Sequence, residues 1–125
     1  MSDTIEREFH LGDVLSIITG KLLSPRHMDG IYDILNFMAN DKLFTHQLPR
    51  VAKEARPYLV EQFPQLKGVS VDGVDRDNFR QRLDDLCAEF GETVMVRRLP
   101  LNAHEFIDWR SELAEKVHPD RIIEV

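Results

Sequence analysis

The sequence has almost no cysteine, and this shortage excludes two classes of small protein. Cys87 is its only cysteine, so neither an internal disulfide framework nor a zinc site built from several cysteines can form. The five histidines show none of the HExxH, HxH or HxxxH spacings typical of metal sites. The sequence therefore predicts no metal, no cofactor and a reducing compartment.

Long apolar runs and nucleotide-binding or nucleophile motifs are missing as well. No run approaches the roughly 18 apolar residues that a membrane-spanning helix needs, and the polar, mixed-charge residues 1–8 do not resemble a signal peptide. The P-loop, GxGxxG and GxSxG patterns are all missing. These absences argue against an enzyme and against a membrane partner, and they predict a cytoplasmic protein.

Positive charge is in short supply. The chain has 16 lysines and arginines against 22 carboxylates, a net charge of −6, so direct binding to nucleic acid is not expected of the whole molecule. Arg97 and Arg98 form a basic pair, but such a pair is more typical of a solvated strand end. An acidic surface instead suits a basic face on a protein partner.

The length of 125 residues fits a single domain spanning residues 1–125. Period-two alternation near the start predicts a short edge strand, and helical periodicity follows it four times. The predicted elements are a strand at Ile5–Phe9 and helices at Leu11–Gly20, Pro25–Ala39, Leu48–Phe63 and Asp75–Phe90.

Several residues in and between these segments are predicted to cap, end or interrupt the helices. Ser24 is the predicted N-cap of the second helix, with Pro25 in its first position. Gly20 and Gly91 are predicted helix stops because glycine adopts the left-handed conformation without steric cost. Pro57 is expected to kink or break the third helix, because its ring clashes with an earlier carbonyl and its nitrogen cannot donate.

The C-terminal third reads as strand, helix, strand. Residues 93–97 and 120–125 are β-rich, and Asn102 with Glu105 resembles a capping box that would open a helix over residues 102–117. If both strands share a sheet, the crossover makes them parallel. The prediction is an α+β fold, mostly helical with four to five helices, and a small sheet that includes this C-terminal unit.

The stretch from Thr45 to Arg50, called the junction below, is the densest in chemistry. It lies between two helical segments, where Thr45 is a typical N-cap with a purely structural role. The N–H groups at a helix start, together with His46, Gln47 and Arg50, are also typical of a pocket for an anionic ligand. His46 could in addition act as an acid or base near neutral pH.

Arg26 and His27 complete the set of candidate binding residues, because they fall in the first turn of the preceding helix. That helix would be about 21 Å long at 1.5 Å per residue. His27 and His46 are therefore expected at its opposite ends rather than in one site. No catalytic residue is assigned.

Four blocks of the sequence resemble a known family. They are Phe9–Leu15, Ser24–Gly30, Tyr32–Met38 and Leu43–Arg50. The likeness is to short uncharacterised proteins encoded by bacteriophages and prophages, and it covers residues 9–66 with a looser echo in Pro119–Ile123. That family has no assigned activity, so the resemblance implies only a context, a small accessory protein in the cytoplasm of a bacterial host.

Three functions fit these observations. The first is binding, in which the chain occupies a host, phage or anti-phage defence protein, or sequesters a small anionic ligand. The second is a small enzyme that acts on an anionic or nucleotide-like substrate through the junction, with His46 as acid–base. The third is an oligomeric virion or assembly component, since the helix over residues 25–39 is apolar nearly all round and could form a homodimer.

Overall fold

The computed structural model describes residues 5–100, 102–107 and 110–111. These residues form four α-helices and two β-strands, which confirms the predicted α+β class with helices predominating. The elements are β1 Glu6–His10, α1 Leu11–Thr19, α2 Met28–Ala39, α3 Leu48–Gln62, α4 Phe79–Phe90 and β2 Thr93–Arg97. Among these helices, none has the length and apolar character to cross a bilayer.

The two strands form an antiparallel pair, with Glu6 opposite Arg97 and His10 opposite Thr93. Phe9 and Val96 are buried on the inner face of this sheet. Both strands were predicted, but the partner predicted for β2 was a parallel strand at residues 120–125. Those residues and most of the helix predicted before them lie outside the described residues.

Helices α1, α2 and α3 pack on one another to form the core. Their fully buried side chains include Leu15, Ile34, Leu35, Val51 and Leu59. Each buried aliphatic side chain of this size contributes about 1.5–3 kcal/mol relative to exposure. Each of these three helices contacts the other two.

The helices end where the sequence predicts. Gly20 adopts φ 79° and its N–H bonds to the Ser16 carbonyl. Gly91 has φ 102° and closes α4 in the same way on the Cys87 carbonyl. Both conformations are rare for residues with a Cβ.

The predicted start of the second helix is wrong by three residues. Residues 25–27 form a turn, and α2 begins only at Met28. The Ser24 hydroxyl does accept from the Arg26 N–H, but it also donates to the buried Asp13 carboxylate. The hydrogen bond to Asp13 on α1 therefore fixes the position of Ser24, and the helix begins later than predicted.

The break predicted near Arg56 is also wrong, because α3 runs without interruption from Leu48 to Gln62 with Pro57 inside it. Pro57 is exposed, while Ala55 and Leu59 on either side of it are fully buried. Burial of this face outweighs the roughly 3 kcal/mol that an internal proline costs a helix.

The helix predicted to start at Asn102 does not form there. Asn102 and Ala103 make a turn, and residues 105–107 are neither helix nor strand. The capping-box pattern fails because this segment is bound to α3 through side chains of both. His104, which lies in the middle of the predicted box, is buried in that contact.

Candidate functional site

The junction is a single 3-10 turn, Thr45–Gln47, that leads directly into α3. Gln47 is buried and closes this turn: its Oε1 accepts from the Phe44 N–H at 3.0 Å, and its own N–H donates to the Phe44 carbonyl at 2.9 Å. Its Nε2 donates to the Ile107 carbonyl at 3.1 Å. Gln47 therefore holds the turn in shape and attaches it to the segment after His104.

The outer side of the junction carries an aromatic pair. The His46 ring stacks on Phe44, with centroids 6.3 Å apart and planes inclined by 22°. Phe44 is 41% exposed, and Thr45, whose hydroxyl bonds to the Tyr32 hydroxyl, is exposed as well. Of the predicted junction residues, Thr45 is therefore exposed, His46 is half-buried and Gln47 is buried.

Arg50 belongs to a polar cluster around the buried His104, which we call the histidine clamp: Asp41, Arg50, Glu54 and His104. Arg50 donates to Glu54 at 2.8 Å and to the Glu105 carbonyl at 2.9 Å. His104, with a side chain only 2% exposed, bonds through Nδ1 to Glu54 at 2.5 Å and through Nε2 to Asp41 at 3.0 Å. The His104 ring therefore connects Asp41, which follows α2, to Glu54 on α3.

Sequence reasoning missed the histidine clamp. His104 was considered only as a metal ligand, and its partners lie 50 and 63 positions away in the chain. The one local signal was the spacing of Arg50 and Glu54, because residues four apart share a helix face. That spacing could have shown that Arg50 is held by α3 itself.

Arg26 belongs to a second cluster, at the opposite end of α2. It donates to Asp13, which is fully buried on α1, and at 3.0 Å to Asp33 on α2. Hydrogen bonding to Asp13 is the main reason that the pKa of Arg26 lies above its ordinary value. Gly30 allows the helices to approach here, because a Cβ at this position would overlap Ser24 and Asp13.

Asp33 is shared between two arginines. Burial raises the pKa of its carboxyl, but the hydrogen bonds and charges of Arg7 and Arg26 lower it by more, and the net pKa lies below the ordinary value of 3.8. Arg7 bonds to the same Oδ2 atom as Arg26. The cluster therefore connects β1, the Arg26 turn and α2 through one carboxylate.

His27 is exposed and has an unusual backbone, with φ 56° and ψ −135°. Its ring meets Phe79 edge-on, with centroids 6.2 Å apart. His27 precedes α2 and the junction follows it, so a 12-residue helix, about 18 Å long, lies between them. The structure therefore does not bring Arg26 and His27 to the junction.

Within the described ranges there is neither a metal site nor a reactive thiol. Nowhere in residues 5–100, 102–107 and 110–111 do three His, Cys, Asp or Glu side chains converge in a way that could hold a metal ion. Burial raises the pKa of the Cys87 thiol, and the charges of Glu92 and Asp84 raise it further. That thiol is therefore a poor nucleophile at neutral pH.

Comparison with protein families identifies part of the chain. Residues 9–69 match the model of a domain of unknown function, DUF7736. The DUF7736 domain runs from Phe9 in β1 through α1, α2 and α3, so it contains the junction, Asp13 and Arg26 but not His104. The resemblance noted over residues 9–66 thus falls on a recognised domain. Neither a curated protein nor a solved structure matches the chain.

Proposed function

We propose that this protein acts by binding, and that the outer side of the junction is its contact surface. The observation that carries this proposal is the stack of the exposed Phe44 on the half-buried His46, on a turn held by Gln47. Aromatic side chains bury much area and lose few rotamers, which is why they dominate the energetics of interfaces. Because the turn is already fixed by hydrogen bonds, binding would not have to order it.

Phe106 extends this surface. It is 63% exposed, and its ring meets His104 edge-on with centroids 4.5 Å apart. The carbonyls on either side of it, those of Glu105 and Ile107, accept hydrogen bonds from Arg50 and Gln47. In this arrangement Gln47 and Arg50 support the surface, whereas Phe44, His46 and Phe106 would contact the partner.

The partner we propose is a protein of a bacterial host, such as a component of anti-phage defence, met in the host cytoplasm by a small phage accessory protein. The phage context rests on the resemblance over residues 9–66. The net charge of −6 would speed encounter with a basic partner face. Sequestration of a small anionic ligand is the second form that this function could take.

Photo-crosslinking tests the proposal. The full chain would carry a photoreactive benzoylphenylalanine at position 46 and be irradiated in infected bacterial cells. The matched control carries the same group at Glu89, which is exposed on α4. We expect a discrete adduct from position 46 that Phe44→Ala depletes. Equal adducts from both positions, or none from position 46, would contradict binding at the junction.

The enzyme and assembly hypotheses stay predictions. The enzyme hypothesis expects His46 in a concave pocket with a second polar group in reach, but His46 does not line any of three cavities found among the described residues. The assembly hypothesis requires self-association. Sedimentation over a hundredfold range of concentration would reject it if the chain stays monomeric throughout.

A further inference from the structure

A second surface lies on the face of the DUF7736 domain formed by α1, α2 and α3. Two cavities adjoin there and share Lys21 and Leu22 in their walls. One measures about 340 Å³ and lies among the three helices; the other, about 390 Å³, lies between His27 and Phe79. We call the two together the basic groove.

The floor of the basic groove is apolar. It is formed by Ile17, Ile31, Leu35, Leu48 and Ala52. Leu22 and Met28 stand at its edge and are 44% and 43% exposed. Single exposed aliphatic residues are common on protein surfaces, but a contiguous apolar patch usually marks an interaction site.

The rim of the groove is positively charged. The cations Lys21, Lys53, Arg56 and Arg76 line it, and Asp75 is the one carboxylate among the lining residues. The positive charge of the rim is opposite in sign to the net charge of the whole chain, which is −6. The DUF7736 domain holds seven lysines and arginines against six carboxylates, +1, so the rest of the chain carries −7.

The charges on α3 are not neutralised within the described residues. Lys53 and Arg56 are three positions apart, where like charges on a helix repel by a few tenths of a kcal/mol. In the described part of the chain, no carboxylate forms an ion pair with either of them. Arg56 is nevertheless held in place, because its Nε donates to the Ile17 carbonyl at 2.9 Å.

Lys21 is held in place as well. Its Nζ donates to the carbonyls of Val71 and Val74 at 3.1 and 3.0 Å. These neutral acceptors leave its full positive charge at the point where the two cavities meet. The groove thus presents positioned cations beside exposed aliphatic side chains.

We propose that the basic groove binds an acidic amphipathic helix of a partner protein. Apolar residues at positions i, i+3 or i+4, and i+7 of such a helix would lie on the floor beside Leu22 and Met28. Its carboxylates would face Lys21, Lys53 and Arg56, and these contacts would weaken with added salt. Two cavities in a row suit an elongated ligand of this kind. The groove is distinct from the aromatic surface of Phe44 and His46, so each proposal can fail without the other.

Labelled synthetic peptides test this inference on the full chain by fluorescence anisotropy. The first is an acidic amphipathic helix of about 18 residues, five turns, with leucines along one face and glutamates elsewhere. The second has the same composition in an order that abolishes the apolar face. The third replaces every glutamate with lysine. We expect the first to bind, more weakly at high salt, and the others to bind at least about tenfold more weakly.

Variants of the chain locate the binding. Lys53→Glu reverses a rim charge, and Leu22→Ser removes an exposed aliphatic side chain. Each substitution should weaken the binding of the first peptide by about tenfold. Lys67→Glu makes the same charge change at an exposed position outside the groove and should stay within about twofold. Circular dichroism and thermal melting would show that all three variants fold.

Several results would overturn the proposal. They are a lack of binding by the acidic peptide, equal binding of the reordered peptide, or binding that Lys53→Glu and Leu22→Ser leave unchanged. Sedimentation of the chain alone completes the test. Self-association that is lost in Lys53→Glu would assign the groove to a second copy of this chain and reject the helix.

Discussion

Asp13 shows how this protein tolerates a charge in its core. Its carboxylate is fully buried, yet it accepts hydrogen bonds from the Ser24 hydroxyl and the Arg26 guanidinium. Removal of a carboxylate from water is expensive unless such partners replace the water. Across the described residues, no buried side-chain nitrogen or oxygen lacks a hydrogen-bond partner.

The contribution of this cluster to folding stability depends on pH through Asp33. Its pKa is lower in the folded protein than in the unfolded chain, so ionised Asp33 stabilises the fold above the unfolded pKa. That contribution is lost as pH falls through the lower, folded pKa, in the window below about pH 4. Asp33→Asn should lower the free energy of unfolding at pH 7 by about 1 kcal/mol and flatten this acid loss.

Urea unfolding from pH 7 down to pH 3 would measure the effect of Asp33→Asn. Asp29→Asn is the control, because Asp29 is exposed one turn earlier on the same helix. If the free energy of unfolding of Asp33→Asn falls with acid as steeply as that of wild type, ionised Asp33 does not stabilise the fold through the two arginines.

For single residues, the sequence predicts those features that depend only on the local backbone conformation. The stops at Gly20 and Gly91 are predictable because left-handed backbone favours glycine whatever surrounds it. The role of Ser24 is not predictable from its neighbours, because its hydroxyl is bound by Asp13 from another helix. His104 escaped notice for the same reason, since both its partners are distant in the chain.

At the scale of elements, α3 shows tertiary packing overriding local preference. Pro57 removes one hydrogen bond of the helix and crowds the carbonyl of Lys53. The buried side chains Val51, Ala55 and Leu59 nevertheless keep one continuous face against the core. A proline break can be predicted from sequence only where no such face continues past it.

Pro57→Ala should therefore stabilise the protein. The restored hydrogen bond and the relieved clash favour alanine by up to about 3 kcal/mol in a helix. Greater freedom of the unfolded chain offsets roughly 1 kcal/mol of this gain, so a net increase of about 1–2 kcal/mol is expected. Urea or thermal unfolding would measure it.

Pro64→Ala is the matched comparison, because Pro64 begins the 3-10 turn after α3, where proline fits. That substitution should lower stability by up to about 1 kcal/mol through the unfolded state alone. A loss of stability in both variants would mean that the folded helix does not resist Pro57.

At the scale of the whole molecule, the histidine clamp joins the DUF7736 domain to a segment outside it. Asp41 and Glu54 belong to the domain, while His104 comes from beyond β2. The α+β class could be predicted from periodicity alone. The path of residues 102–107 could not, because side-chain contacts with α3 replace the helix that the local pattern favours.

His104→Asn should loosen this connection. It leaves Asp41 and Glu54 facing each other without the ring between them, and a destabilisation of about 2–3 kcal/mol is expected. Amide hydrogen exchange at residues 105 and 107 should accelerate more than exchange in α1. His27→Asn is the control, because it makes the same change at an exposed histidine outside the histidine clamp. Unchanged exchange at residues 105 and 107 would show that the ring does not hold the segment.

The pairing of β1 with β2 has a consequence for the order of folding. Helices α1, α2 and α3 meet through contacts between near neighbours in the chain, whereas the sheet must close a loop of about 80 residues. Closure of such a loop loses chain entropy before any strand contact compensates for it. We expect the three helices to assemble first and the sheet to form last, so that a nascent chain stays open at β1 until β2 has been synthesised.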